Sequence, residues 1–425
     1  MSQFPIRKAG GLKGILLTLG PGLIFAGASI GVSHIVQSTR AGADYGFALF
    51  WFVVLSMVVK FPFFEFGPRY VCATGDNLLV GYRNLGKWAV NLFIIQTIGT
   101  MFIIQSAVTL VTAGLFSNLI GNGLPMVWVS IGILLVCVFL LDLGKYPVLD
   151  KLIKAMLVVL GICTMAAFIL ALMKGSQAPA GFKHDFTWDL AGFSFLLALM
   201  GWMPSPIDVS VWHSIWSTQR IEQTKHHPNI KECLFDFHFG YWGTLFMALL
   251  FLGLGALVMF GTAETFSDSA VKFTAQVIAL FTNTIGPWSF WIIATAAAIT
   301  MFSTTITCLD AYASIVKEAS VMLWPQTQKH ADTIFKVAVL ALSVVTVIVI
   351  GKFLNRMTLL IDVATTISFL IAPVLAYMNL RVVTSENFPQ DKRPSDNMVT
   401  YSWLCIIFLS LFSLAFLVWR FIWSV

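Results

Sequence analysis

Charge is what this sequence has least of. Only 11% of its 425 residues are Asp, Glu, Lys or Arg, against roughly 25% in soluble domains. That shortage excludes water as the main solvent and leaves no room for a large soluble domain. Lys and Arg flank apolar runs instead of forming one patch, so no nucleic-acid surface is expected. The six cysteines, Cys72, Cys137, Cys163, Cys233, Cys308 and Cys405, lack C-x-x-C spacing. They read as small buried hydrophobes rather than as disulfides or zinc ligands. Motifs of the G-x-S-x-G, H-E-x-x-H or Walker type are missing, so neither an enzyme nor a bound cofactor is expected. Arg7 and Lys8 are not followed by a short apolar core and cleavage site, so a cleaved signal peptide is not expected either.

What the chain has is apolar length, 58% of its residues being hydrophobic. A helix needs about 20 apolar residues to cross a bilayer. Eleven stretches approach that: Ile15–Thr39, Phe47–Phe66, Ala89–Leu119, Met126–Leu141, Leu152–Met173, Ala191–Ser217, Tyr241–Gly261, Pro287–Asp310, Ile334–Phe353, Leu359–Leu380 and Val399–Trp423. The loops between them alternate in charge. One set holds Arg7, Lys8, Lys13, Arg69, Arg83, Lys87, Lys145, Lys151, Lys154, Arg220, Lys225, Lys231, Lys317, Lys329, Lys336, Arg381, Lys392 and Arg393. The other holds only Arg40, Lys174, Lys183, Lys272, Lys352, Arg356 and Arg420. The positive-inside rule then puts the N-terminus in the cytoplasm and, with an odd number of spans, the C-terminus outside. A bacterial inner membrane and a monomer are the expected setting.

Two of these spans are interrupted. In the first, Gly27, Ala28, Ser29, Gly31 and Ser33 precede His34. Glycine costs a helix interior about 1 kcal/mol relative to alanine, and serines recapture backbone groups that a break sets free. Gly27 and Gly31 also form a small-xxx-small pair, which lets unbroken helices approach closely. The sixth span decides between these readings. Its run Met200-Gly201-Trp202-Met203-Pro204-Ser205-Pro206-Ile207-Asp208 holds two prolines, each costing a helix interior about 3 kcal/mol. Breaks in spans one and six point to two five-helix halves of inverted topology with a site near the midplane. The expected organisation is one integral domain: repeat one at 15–173, repeat two at 191–380 and an extra helix at 399–423.

Several runs resemble the natural resistance-associated macrophage protein family of metal-ion transporters. Gly20-Pro21-Gly22-Leu23, Ala41-Gly42-Ala43, Tyr45-Gly46, Arg69 and Ala73-Thr74-Gly75 match it without gaps, and Met203-Pro204 resembles the start of its sixth-helix Met-Pro-His-Asn. Ser303-Thr304-Thr305-Ile306-Thr307 is similar to its eighth-helix Ser-Ser-Thr-Ile-Thr. The resemblance implies an all-α polytopic protein of the amino-acid/sodium-symporter (LeuT-type) fold, working by alternating access. It also marks departures. Where the family has Asp-Pro-Gly-Asn, whose Asp and Asn hold the metal, this chain has Gly31, Val32, Ser33 and His34; His-Asn of the sixth helix becomes Ser205-Pro206. The third helix carries acids tied to proton movement in the family. Here Trp88 to Leu119 holds no charge, with Ser106 and Thr109 about where the acids belong, so proton coupling by that route is not expected.

The candidate substrate-binding residues are therefore Gly31, Ser33, His34, Trp202, Met203, Ser205 and Asp208, with Trp212 and Trp216 nearby. For a transported divalent metal, His34, Met203 and Asp208 are the candidate ligands. Each has an alternative: His34 hydrogen-bonded to freed backbone, Met203 as core filler, Asp208 paired with a base. A bare dication needs anionic partners in a low-dielectric site, and only Asp208 is near. Without it the site suits a weakly held cation or an organic solute. Ser303, Thr307 and Asp310 form one polar stripe on the eighth helix, either a pathway lining or a helix–helix seam. Glu65 and Arg69 are spaced to pair, Lys60 seeks Glu65 or a carbonyl, and His226-His227 reads as a solvated turn beside Pro228.

Overall fold

The computed structural model describes residues 18, 20–121, 123–143, 146–179, 182, 186–262 and 264–423. Crossing one consists of α1 (Pro21–Ser29), a π turn (Ser33–Ser38) and α2 (Thr39–Tyr45). Then come α3 (Phe50–Thr74), the short α4 (Leu78–Leu85), α5 (Lys87–Ile120), α6 (Met126–Asp142) and α7 (Tyr146–Lys174). The second half opens with crossing six in two pieces, α8 (Leu190–Gly201) and α9 (Val209–Thr224). It continues through α10 (Ile230–Val258), the short α11 (Ala270–Ile285), α12 (Phe290–Leu323), α13 (Ala331–Phe353), α14 (Met357–Thr384) and α15 (Asp396–Val418). Among the described residues, eight helices are long and apolar enough to cross a membrane; α6 and the two broken crossings complete the eleven. The fold is all-α and polytopic.

Helix ends depart from the hydropathy reading where a polar cap carries the helix past the apolar slab. The seventh crossing was expected from Tyr241 but starts at Ile230. There Asn229 Oδ1 accepts from the Glu232 amide and Glu232 Oε2 accepts from the Asn229 amide, both at 3.0 Å. The same carboxylate lies 3.1 Å from His226 Nε2, and His226 is buried; it is not a solvated turn. The fifth crossing, expected from Leu152, starts at Tyr146, and the first residues expected for crossing one lie outside the described residues. Crossing one runs on to Tyr45 rather than ending at Thr39.

Crossing one lies along α10 for its whole length. Glycine makes this possible: a Cβ on Gly22 would run into the Asp236 carbonyl, and one on Gly240 into Gly22's carbonyl. Further along, Gly42 faces the Leu252 carbonyl and Gly255 that of Thr39. Close approach is thus bought by small residues, as expected between membrane helices. Crossings one, two, six and seven pack together, while α12 packs on α5 and α13. Cys72 on α3 and Cys233 on α10 are joined by a disulfide, their Cα atoms 6.7 Å apart. This corrects the reading of all six cysteines as unpaired: helix ends 161 residues apart in sequence meet in the fold. Cys137, Cys163, Cys308 and Cys405 are free.

Candidate functional site

Both breaks fall between helices that meet end to end. In crossing one the α-helix stops at Ser29 and a π turn takes over at Ser33, a geometry frequent at functional sites. In crossing six, Trp202 to Asp208 separate α8 from α9. The loose ends touch. Ser29 Oγ and Ser205 Oγ share a hydrogen bond of 2.9 Å. The single hydroxyl proton of Ser33 has three acceptors in reach: the Ser29 carbonyl at 2.7 Å, His34 Nδ1 at 2.7 Å and the Pro204 carbonyl at 3.3 Å.

Beside this junction lies a cavity of about 30 Å³, room for about two waters. Crossing one contributes Ala28, Ser29, Val32 and Ser33; crossing six contributes Trp202, Ser205, Pro206, Val209 and Trp212. Ile104 and Val108 of α5 and Thr304 and Cys308 of α12 close the far wall. The polar lining is therefore three serine hydroxyls, one threonine hydroxyl, a thiol and two indoles, with no charged side chain among them.

The residues singled out from sequence divide into two groups around it. Ser33, Ser205 and Trp202 line the cavity, Trp202 donating from Nε1 to Ser368 Oγ at 2.9 Å. Gly31 packs on α12, where a Cβ would come within 2.9 Å of Thr304 Oγ1. His34 turns away: its Nε2, 2.9 Å from the Thr244 carbonyl, donates to α10, while Nδ1 meets Ser33. With both ring nitrogens engaged, the hydrogen-bonded alternative describes His34, though its partner lies on α10 and not in the break. Met203 is fully buried outside the lining, and its carbonyl accepts from Ser56 Oγ at 2.8 Å. Trp216 packs edge-on against Trp212, ring centroids 6.3 Å apart. On α12 the cavity is faced by Thr304 and Cys308; Ser303 and Thr307 are buried one residue round the helix, and Asp310 is half-buried.

Asp208 is buried, and its Oδ1 has no hydrogen-bond partner among the described residues. It lies within electrostatic reach of Lys60, Cys308 and Tyr312. Lys60 was the more informative residue. Its ammonium donates to the carbonyls of Met200 at 2.6 Å, Gly201 at 2.8 Å and Ser205 at 3.3 Å, the carbonyl alternative rather than Glu65. One turn earlier, Ser56 Oγ lies 3.1 Å from the Met200 carbonyl as well. The pair Ser56 and Lys60 was not assigned to the site from sequence. The signal was a lone lysine in an apolar helix, with a serine four residues before it on the same face. Glu65 does pair with Arg69, at 2.5 and 2.8 Å.

Both ends of crossing one are tied to neighbouring helices. At one end Asp236 accepts from the Gly20 amide at 3.1 Å and the Gly22 amide at 2.6 Å, holding the start of α1 on α10. At the other, Arg40 donates to Asp362 Oδ1 and to Gln37 Oε1, both at 2.8 Å, and lies over the Phe195 ring at 5.0 Å. That ties α2 to α14 and α8. On α5, Ser106 and Thr109 are buried and hydrogen-bonded within the helix and its neighbours.

Three comparisons bear on this arrangement. The family model described as natural resistance-associated macrophage protein-like matches residues 22–419. An uncharacterized protein of Pasteurella multocida (strain Pm70) is 35% identical over 404 residues, 94% of this chain and 91% of that protein. Among solved structures, the fold matches the Eremococcus coleocola manganese transporter with a TM-score of 0.73 at 14% identity, over 98% of this chain and 90% of that one. It also matches MhsT in complex with L-phenylalanine, with a TM-score of 0.60 at 11% identity, over 98% and 99% of the two chains. The fold is that of the LeuT-type transporters, with helices one and six broken.

Proposed function

The chain belongs to the natural resistance-associated macrophage protein-like family, and on that premise we propose that this secondary membrane transporter moves a metal cation by alternating access between its two broken crossings. The observation that carries the proposal is the meeting of the breaks around a cavity of about 30 Å³. In this form the cavity has room for an ion or about two waters, well below the roughly 300–1,000 Å³ of a pocket for an organic solute. Ser29, Ser33 and Ser205 offer hydroxyl oxygens, Cys308 a soft ligand, and Asp208 Oδ1 a nearby carboxylate oxygen without a hydrogen-bond partner among the described residues. A cation so placed is held by few charged groups, which favours weak binding and ready release.

The two ties described above supply the alternation. Parting Arg40 from Asp362 frees α2 on one face; parting Asp236 from α1 frees the other. The excess of Lys and Arg in the loops on the N-terminal side supports a cytoplasmic N-terminus, and a monomer in a bacterial inner membrane fits the same reading. We take residues 15–173 and 191–380 as the two repeats and the eleventh helix as an addition. Titration calorimetry of the purified protein with Mn2+ and Fe2+ tests the substrate class. Saturable heat that Asp208→Asn removes supports a metal cation; no heat from either ion favours an organic solute stacked on Trp202 and Trp212.

A further inference from the structure

The break in crossing six is capped by a charge. An α-helix ends with unpaired carbonyls and about half a negative charge, and in transporters with discontinuous helices such ends coordinate co-transported cations. At the end of α8 the Met200 and Gly201 carbonyls, with Ser205 just beyond, all accept from the Lys60 ammonium, with Ser56 Oγ adding a second donor to Met200 at 3.1 Å. Lysine has three N–H donors, and these three carbonyls use them all. The side chain is fully buried, and Asp208 is the carboxylate in electrostatic reach.

The end of α1 is treated differently. Its freed carbonyls at Gly27 and Ser29 accept from the neutral hydroxyls of Thr304, at 3.2 Å, and Ser33, at 2.7 Å. A buried ammonium is costly unless paired and hydrogen-bonded; hydroxyls suffice to cap a helix, as crossing one demonstrates. The lysine therefore brings something a cap does not need, a fixed positive charge at the point where two helix segments and Asp208 converge.

We infer that Lys60 is a tethered cation occupying the position a co-transported ion would take at the broken sixth crossing, so that this transporter needs no coupling ion. The inference extends the alternating-access reading and rests on it. A charge bonded to α3 cannot leave with the substrate, so no second ion is carried per cycle and the substrate follows its own electrochemical gradient. The absence of acids from α5 agrees with this, since that helix offers no carboxylate to pass protons.

The test uses no transported substrate, so it can fail while the metal-cation reading stands. Full-length Lys60→Ala and wild-type protein are extracted in parallel and melted in ammonium, sodium or choline chloride at equal ionic strength. Removing the side chain opens an ammonium-sized space lined by three carbonyls. The expected result is a saturable upward shift of the Lys60→Ala melting temperature in ammonium or sodium over choline, with no difference among the salts for the wild type. Equal melting of Lys60→Ala in all three salts, or an equal shift in the wild type, overturns the assignment. If Lys60→Ala does not survive extraction, Lys60→Gln, which keeps neutral N–H donors for the carbonyls, is melted the same way. A drop below wild type that ammonium or sodium partly reverses upholds the tethered charge; no drop, or a drop that neither cation reverses, overturns it.

Discussion

The hydroxyls of Ser29 and Ser205 stand 2.9 Å apart, joining the last residue of α1 to the loop that follows α8. Residues 176 positions apart in the chain thus close the two breaks onto each other. A double-mutant cycle with Ser29→Ala and Ser205→Ala should show a coupling of about 0.5–1.5 kcal/mol in unfolding free energy, the usual net worth of one hydrogen bond. Additive effects would mean that the broken ends do not support one another.

The Arg40–Asp362 pair should act as a latch more than as a support. Both side chains are partly exposed, so its loss should cost under about 1 kcal/mol of stability. Its effect belongs in access. Cys308 lines the cavity and is buried, which makes it a native reporter. Asp362→Ala should raise alkylation of Cys308 by a membrane-impermeant maleimide added to the face where Arg40 lies, read by peptide mass spectrometry. Unchanged alkylation at that face would remove the latch role.

His34 carries a prediction that separates structure from binding. With one nitrogen on Thr244 and the other on Ser33, His34→Ala should lower stability by about 1–3 kcal/mol, because the Thr244 carbonyl loses its donor in a dry interior. Metal affinity measured by calorimetry should change little. An affinity lost in the variant would restore His34 as a ligand.

Much of this arrangement was legible in the chain. The crossings announce themselves as apolar runs, and Pro204 with Pro206 marks one break unambiguously, because proline cannot continue a helix. The first break was fainter, being written only in small residues that serve packing equally well; Gly31 does both, lying in the break just past α1 while packing against Thr304. Rotation about a helix axis was not legible. Ser303 and Thr307 look as fit to line a cavity as Thr304 and Cys308, and only the packing of α12 on α5 and α13 chooses between the two faces. The partners of Lys60 and the Cys72–Cys233 bond were hidden for a related reason, since both depend on which helix ends the fold brings together.

The start of α8 gives a prediction in pH. Asp189 Oδ1 accepts from the Gly192 amide at 2.8 Å and Oδ2 from the Thr187 hydroxyl at 3.1 Å; the Gly192 bond, foremost, holds the carboxyl below its ordinary range. A lowered folded-state value means the cap's contribution is complete above the unfolded value of about 3.9 and is lost as pH falls through the folded one. Thermal melting should therefore show no pH dependence from Asp189 between pH 5 and pH 8, and Asp189→Asn, which keeps a capping oxygen but not the charge, should differ from the wild type by a constant amount across that window. A gap between the two that grows from pH 5 to pH 8 would contradict the assignment.

The central claim is that a metal cation passes between the two breaks, drawn by Asp208, without a co-transported ion. Uptake of Mn2+ into proteoliposomes holding wild-type or Asp208→Asn protein, with and without an imposed pH or sodium gradient, tests it most directly. The account predicts saturable wild-type uptake at the same rate under each gradient, and at least about a tenfold loss in Asp208→Asn, whose missing charge also leaves the Lys60 ammonium uncompensated. Uptake that needs either gradient, or that survives in Asp208→Asn, would contradict it.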